Sequence, residues 1–291
     1  MTLRRYYDWL SAFQRVTSWV GQGGGYRSLT VHRLLKSSDP AIASADVVHE
    51  RILAVAGPFD FAQGRPEQGP RVLDAGCGLG GTIFYFHRRL GGEYHGLTLS
   101  PTQRAHAERE ARRRGVAAAC RFHLRSYDDD PGGLLPGGAD LVVAIESLAH
   151  SPDPVRSIAN LARALRTGGR LVVVDDMPDD GLALTDDDFA AFRAGWRCPA
   201  IARRGVLLGA LSDAGLTVET EHDLTPLVAL RDPQALERLM TSNRRWRTWA
   251  GWTGAGELID ALYGGLILER LYRRGLMRYR LVAARRTAAS G

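Results

Sequence analysis

A short apolar strand that runs straight into a glycine-dense turn constrains this chain more than any other stretch. It reads Arg71-Val72-Leu73-Asp74-Ala75-Gly76-Cys77-Gly78-Leu79-Gly80-Gly81 and continues into Thr82-Ile83-Phe84-Tyr85-Phe86. Glycines at a strand end let the backbone pass against a ligand with no Cβ in the way, and the helix that follows aims its free N–H groups at that ligand. The pattern predicts a cradle for a nucleotide-type cofactor. Gly76, Gly78 and Gly81 satisfy G-x-G-x-x-G, which by itself suits a dinucleotide-dependent dehydrogenase equally well. Asp74, two residues before the first glycine, argues otherwise. A carboxylate there repels a pyrophosphate but accepts an ammonium group or orders a water.

From Arg71 onward strand and helix patterns alternate, which predicts an α/β fold with a mostly parallel sheet covered by helices on both faces. Strands are expected over 71–74, 93–98, 120–124, 140–145, 170–175, 217–223 and 277–284, and helices over 80–90, 101–114 and 154–165, the last closed by Thr167-Gly168-Gly169. Ahead of this core, Leu3, Tyr6, Tyr7, Leu10, Phe13, Val16 and Val20 predict an amphipathic helix over 2–20, and a second helix is expected over 43–56. The breaker-rich stretch 57–70 reads as an exposed loop, and 226–275 as a helical insert long enough to act as a lid. The resulting division is a helical cap (1–56), a loop (57–70), a core (71–225), a substrate lid (226–275) and a last core strand with tail (276–291).

Composition excludes little but is consistent with this picture. The chain has 291 residues, 45% hydrophobic and 24% charged, enough for one large domain with a subdomain. No run of about 18 apolar residues occurs, and Met1-Thr2-Leu3-Arg4-Arg5-Tyr6 lacks the apolar core of a signal peptide, so a cytoplasmic protein without stable membrane insertion is expected, peripheral contact and homo-oligomerisation remaining open. Cys77, Cys120 and Cys198 are far apart with no histidine at ligand spacing, so neither a disulfide framework nor a metal site is indicated. The net charge of +6 would permit a polyanion, yet Lys36 is the single lysine among 38 basic residues. An arginine skew of that kind reflects codon composition more simply than a nucleic-acid surface.

The wording Val72-Leu73-Asp74-Ala75-Gly76-Cys77-Gly78-Leu79-Gly80-Gly81 strongly resembles motif I of class I methyltransferases that use S-adenosylmethionine (SAM). The resemblance implies a Rossmann-like seven-stranded core, SAM as cofactor with S-adenosylhomocysteine as product, and cofactor contacts at Asp74, Gly76, Cys77 and Gly78. The family usually carries an acid after the second strand. Here Gly96-Leu97-Thr98-Leu99-Ser100-Pro101-Thr102-Gln103 stands instead, similar to the version in tocopherol, sterol and cyclopropane-fatty-acid-type methyltransferases. In that version Thr98, Leu99, Ser100 and Gln103 lie on the ribose side, although Ser100-Pro101 is also a helix start. By the same resemblance Ser126 and Tyr127 approach the adenine, while Asp128, Asp129 and Asp130 read as a solvated turn. Glu146-Ser147-Leu148-Ala149-His150 leaves the fourth strand, where ligands of open α/β sheets bind, so Glu146 and His150 are the candidate catalytic residues, with Glu146 also at the cofactor.

Substrate candidates are Tyr26, His32, Trp196, Trp246 and Trp249. Tyr26-Arg27-Ser28-Leu29-Thr30-Val31-His32 loosely resembles the N-terminal segment that closes over SAM in sterol-type enzymes, and serves equally as a helix-connecting loop. Trp246, Trp249 and Trp252 form either core or the wall of an apolar pocket. Arg244, Arg245, Arg273 and Arg274 either hold a diphosphate or carboxylate or are solvated. Together these readings give a methyltransferase for a small hydrophobic acceptor, with carbon methylation of an isoprenoid-like prenyl, sterol or prenylated-ring compound expected. The alternatives are an O- or N-methyltransferase of a secondary metabolite, an RNA methyltransferase, or a catalytically silent SAM-binding protein.

Overall fold

A computed structural model describes residues 29–30, 32–57, 69–250 and 256–287, with side chains outside 244–250 and 256–258. The expected helix over 2–20, Tyr26, most of the 57–70 loop, Trp252 and the side chains of Trp246 and Trp249 lie outside the described residues.

Helix α1 (Val47–Ala56) precedes the core. The core then runs β1 (Arg71–Ala75), α2 (Gly81–Leu90), β2 (Glu93–Thr98), α3 (Pro101–Arg113), β3 (Cys120–Leu124), β4 (Ala139–Ile145), α4 (Pro154–Ala164), β5 (Leu165–Pro178), α5 (Asp187–Trp196), α6 (Arg204–Asp213), β6 (Leu216–Asp223), α7 (Pro233–Ala250), α8 (Gly256–Arg273) and β7 (Met277–Arg286). The seven strands form one sheet in the order β3-β2-β1-β4-β5-β7-β6. Strands β1 to β5 pair in parallel, and β7 runs antiparallel to both β5 and β6. The strand-helix alternation predicts this mostly parallel sheet, and the seven-stranded Rossmann-like order is the one that the methyltransferase resemblance implies.

Both faces of the sheet are covered, because neighbouring residues on each strand alternate between two buried clusters. Val72, Leu141, Val143 and Val172 pack with Ile83 and Phe86 of α2 and Ala107 of α3. Leu73, Val142 and Leu171 pack with Ile158 and Leu161 of α4 and Leu211 of α6 on the other side. Two helix starts follow directly from sequence: Ser100 Oγ accepts from the Gln103 N–H at 3.1 Å, and Asp153 Oδ1 accepts from the Arg156 N–H at 3.0 Å, each with proline at the first helical position.

The structure departs from expectation at three places. Helix α1 starts at Val47 rather than near residue 43. Thr167-Gly168-Gly169 does not close α4: the helix ends at Ala164 and these residues belong to β5, which is 14 residues long. The glycines are needed because β5 bulges past the start of β4, where a Cβ on Gly169 would lie 2.7 Å from the Ala139 carbonyl oxygen. Helices α5 and α6 fill a region for which no element is expected from the sequence. Asp186 caps α5 by accepting from the Phe189 N–H at 3.1 Å, a role hidden inside the acidic run Asp186-Asp187-Asp188.

The expected insert consists of α7 and α8. Helix α8 crosses α5 with backbones close together: a Cβ on Gly195 would lie 2.6 Å from the Asp260 carbonyl oxygen, and one on Gly264 2.7 Å from Trp196 Cδ1. Among the described residues no helix is long and apolar enough to cross a membrane.

Gly96, in the middle of β2, is where the turn after β1 leans on the sheet. A Cβ there would lie 2.7 Å from Cys77 Sγ and 2.8 Å from Ile83 Cδ1. Gly96→Ala is therefore expected to lower stability by about 1–3 kcal/mol through overpacking. Gly133→Ala, which meets nothing within 4 Å, should change it by less than about 0.5 kcal/mol. Denaturant unfolding midpoints of the two variants check the difference.

Candidate active site

At the carboxyl ends of β1, β2, β4 and β5 lies a cavity of about 700 Å³. One half is built by the glycine turn and its neighbours: Gly76, Gly78, Thr98, Leu99, Gln103, Ser126 and Tyr127 all line it. The other half is bounded by α5, α7 and α8, including Phe192, Trp196, Leu239, Leu262 and Leu266. Glu146 and His150 stand where the two halves meet, and His32 and Arg33 cover them.

The turn keeps its shape through the sheet. The N–H groups of Gly76 and Cys77 both donate to the Leu97 carbonyl oxygen, at 3.1 and 2.9 Å. Gly76 has φ +103°, and a Cβ on it would come within 2.6 Å of Ser147 Cβ. Beneath the turn Asp74 is buried, its Oδ2 has no hydrogen-bond partner, and burial pushes its carboxyl up to about 7. The Ser147 hydroxyl beside Gly76 is likewise buried without a partner. An open glycine cradle beside an unsatisfied buried carboxylate suits a ligand that brings a cationic amine, as SAM does.

Among the other expected cofactor residues, Thr98 donates its hydroxyl to Gln103 Oε1 at 2.8 Å, and both line the cavity. Ser126 donates to Asp128 Oδ2 at 3.0 Å, and the Tyr127 hydroxyl donates to the Ser147 carbonyl. Three of the expected cofactor residues do not line the cavity: Asp74 is buried beneath the turn, Cys77 turns its thiol into the sheet against Gly96, and Ser100 is fully buried as the cap of α3. Asp128 is also no solvated turn residue: it accepts from the hydroxyls of Ser151 and Ser157, at 2.9 and 2.5 Å, and so ties the adenine-side loop to α4.

On the catalytic side the structure reveals groups that the sequence did not single out. A strap that includes residues 29–30 and 32–36 crosses the cleft. Its Leu29 carbonyl fits the space left at Gly81, where a Cβ would lie 2.4 Å from it, and Leu35 pairs with Val228 at the start of the insert. Arg33 donates its N–H to Glu146 Oε1 at 2.8 Å and its guanidinium to Asp176 Oδ2 at 3.1 Å. Tyr279 on β7 donates its hydroxyl to the same Glu146 oxygen at 2.8 Å, and Tyr272 on α8 donates to Asp176. Asp175 accepts from the Ala149 N–H at 3.2 Å.

The electrostatics follow from burial. Glu146 is half-buried and lines the cavity; burial raises its carboxyl above the ordinary value, with the Arg33 charge acting against it and Asp176 with it. Asp175 is pushed well up by burial and then by Asp176 and Glu146. The His150 imidazole is pushed down to about 4 by burial, partly countered by the Arg197 carbonyl 3.4 Å from Nδ1, so it is neutral at pH 7. His32, with Nε2 3.1 Å from His49 Nε2, is pushed down to about 3 by burial and by His49.

The paired acids Asp175-Asp176 at the end of β5 were detectable by the rule that places ligands at strand carboxyl ends. Arg33 and Tyr279 carried no such signal, since each acts through a contact with a distant segment. Of the arginines expected to hold an anion, Arg274 instead pairs with Asp186 at 2.8 Å and Asp188 at 3.0 Å, and Arg273 is exposed outside the cavity. The side chains of Arg244 and Arg245 lie outside the described residues. Among the described residues no cluster of His, Cys, Asp and Glu is placed to hold a metal ion.

Asp74 gives a pH test of the cradle. Its folded-state value of about 7 lies above the ordinary 3.8, so the protonated carboxyl favours the folded state and that contribution is lost as pH rises through this interval. The ligand-free protein should therefore lose stability relative to Asp74→Asn between about pH 4 and pH 7. Denaturant unfolding of both proteins at several pH values measures it.

Comparison with known proteins agrees with this geometry. The methyltransferase domain family matches residues 73–171. A probable chloroplastic tocopherol O-methyltransferase of Oryza sativa subsp. japonica is 33% identical over 43% of this chain and 33% of its own length. The tocopherol O-methyltransferase of Arabidopsis thaliana is 36% identical over 36% of this chain and 29% of its own, so the chain spans about a third of these curated relatives. Among solved structures, a geranyl diphosphate methyltransferase in complex with GPP and sinefungin superposes with a TM-score of 0.69 at 25% identity, covering 91% of this chain and 93% of that one. Residues 73–171 thus match the methyltransferase domain family, and the described chain shares the fold of a solved methyltransferase.

Proposed function

We propose that this protein transfers a methyl group from SAM to a carbon atom of a small, isoprenoid-like hydrophobic acceptor. The observation that carries the reading is Glu146: a carboxylate with a raised pKa, facing a largely apolar cavity beyond the cofactor turn. The solved relative named as a geranyl diphosphate methyltransferase and the curated relatives named as tocopherol O-methyltransferases support an acceptor of this class.

Gly76 and Gly78 admit the cofactor, Asp74 takes its amine, and Thr98, Gln103, Ser126 and Tyr127 lie along the rest of its site. Bound SAM supplies an electrophilic methyl group. Trp196 and Phe192, together with the strap, hold an apolar acceptor and exclude water, so that positioning provides most of the acceleration. Transfer of that methyl group to an alkene carbon, with S-adenosylhomocysteine as the leaving group, would put positive charge on the acceptor. Aromatic faces and the nearby carboxylates favour that charge, and Glu146 removes a proton from the adjacent carbon to restore the double bond.

His150 favours a second reading. A neutral imidazole on the same cavity can take the proton of a hydroxyl acceptor, which suits O-methylation.

Incubation with SAM and a panel of prenyl diphosphates, prenyl alcohols, sterols and prenylated quinols, followed by product NMR, decides between them. A new carbon–methyl bond is expected; products methylated only on oxygen or nitrogen would overturn the proposal. Glu146→Gln should lower turnover by about 10²–10³-fold while SAM affinity stays within about twofold. In the parent enzyme turnover should rise with pH, with its acid limb above the ordinary carboxylate range, because the active form of Glu146 is ionised and burial opposes ionisation.

A further inference from the structure

Glu146 stands where β4, β5, β7 and the strap converge, and both of its hydrogen bonds fall on one oxygen. The Arg33 peptide N–H, from the strap, and the Tyr279 hydroxyl, from β7, each donate to Oε1 at 2.8 Å. Tyr279 is fully buried, does not line the cavity, and lies opposite Asp176 in the β5–β7 register, so the sheet itself aims its hydroxyl. Glu146 also has φ +47°, a conformation that non-glycine residues adopt only when their surroundings hold them there.

We propose that Tyr279 and the Arg33 peptide are positioning groups that clamp Glu146 by Oε1 and leave Oε2 to receive the proton, so that the base is complete only when the strap is docked. This rests on the reading of Glu146 as the base. An oxygen already accepting two hydrogen bonds is a poorer proton acceptor than its partner on the same carboxylate. Strap docking closes the cleft and supplies one of the two donors in the same movement. Water exclusion and base alignment are thereby linked through one peptide group.

The clamp has an electrostatic signature. The charged and titratable groups facing Glu146 are the Arg33 guanidinium from the strap, Asp175 and Asp176 from β5, Tyr272 from α8 and Tyr279 from β7. Hydrogen bonds from Arg33 and Tyr279 favour the ionised carboxylate, against burial and Asp176. Removal of the Tyr279 hydroxyl must then raise the Glu146 pKa further. Removal of the Tyr272 hydroxyl, which donates to Asp176 instead, acts on Glu146 only at second hand.

The test is a carboxyl carbon-13 NMR titration of the full chain with bound S-adenosylhomocysteine, the Glu146 signal being assigned by its loss in Glu146→Gln. Tyr279→Phe should move the Glu146 titration up by about one pH unit, the equivalent of one hydrogen bond to a charged group. Tyr272→Phe should move it by much less. A folded Tyr279→Phe with no shift, or a shift equal to that of Tyr272→Phe, overturns the clamp. If Tyr279→Phe does not fold, Arg33→Ala and Arg33→Pro take its place: both lose the guanidinium and only the second loses the peptide donor. A further rise from Ala to Pro supports the clamp, and equal titrations overturn it. With any acceptor that is turned over, Tyr279→Phe should lower kcat about tenfold, leave KM within about twofold, and carry the acid limb upward with the titration. The titration needs no acceptor, so the two ideas fail separately. Full activity in Glu146→Gln removes the base assignment, whereas an unmoved Glu146 signal removes the clamp.

Discussion

Three carboxylates meet at the carboxyl ends of β4 and β5, and the cation paired with them comes from outside the sheet. The charge of Asp176 raises both Glu146 and Asp175, and Arg33 enters from the strap to pair with Asp176 at 3.1 Å. Its guanidinium lies over the rings of Tyr272 and Tyr279, 5.1 and 5.5 Å from their centroids. An unpaired buried ion would cost several kcal/mol, so Asp176 requires Arg33, and with it this part of the strap, to stay where it is. The position of Arg33 on the strap and the electrostatics around Glu146 thus share one cause.

Glycine, by contrast, governs where backbones may approach. Gly76 opens the cofactor side, Gly81 receives the strap carbonyl, and Gly195 with Gly264 lets α5 and α8 cross closely enough to set Trp196 into the cavity wall. In each case a methyl group would occupy the space that the Ser147 side chain, a peptide or an indole ring uses. The cavity is therefore shaped by small residues on its frame and lined by large ones, a division that leaves its floor rigid and its apolar walls specific.

Much of this was legible one segment at a time. The strand-turn-helix around Gly76, the caps at Ser100 and Asp153, and the emergence of Glu146 and His150 from β4 are local patterns whose causes lie within a few residues. Cys77 and Ser100 show the limit of such patterns: each sits in the right motif, but a thiol turned toward Gly96 and a hydroxyl spent on a helix cap do not reach the cavity. Thr167-Gly168-Gly169 looked like a helix stop and is a strand bulge, since the demand for glycine came from β4 alongside rather than from α4 before it. Asp128 looked solvated because its partners, Ser151 and Ser157, lie beyond the next strand.

The sequence by itself determined the alternating core, the cofactor cradle and its acidic neighbour, because these depend on periodicity and on the backbone freedom of particular glycines. Only the tertiary structure decided which groups surround the reacting centre. Arg33, Asp176, Tyr272 and Tyr279 are separated by up to 246 positions in the chain and are brought together by the antiparallel pairing of β7 with β5 and by the strap laid over both. A hydrogen bond between such distant residues leaves no trace in the spacing of either, and it exists only once the sheet has closed.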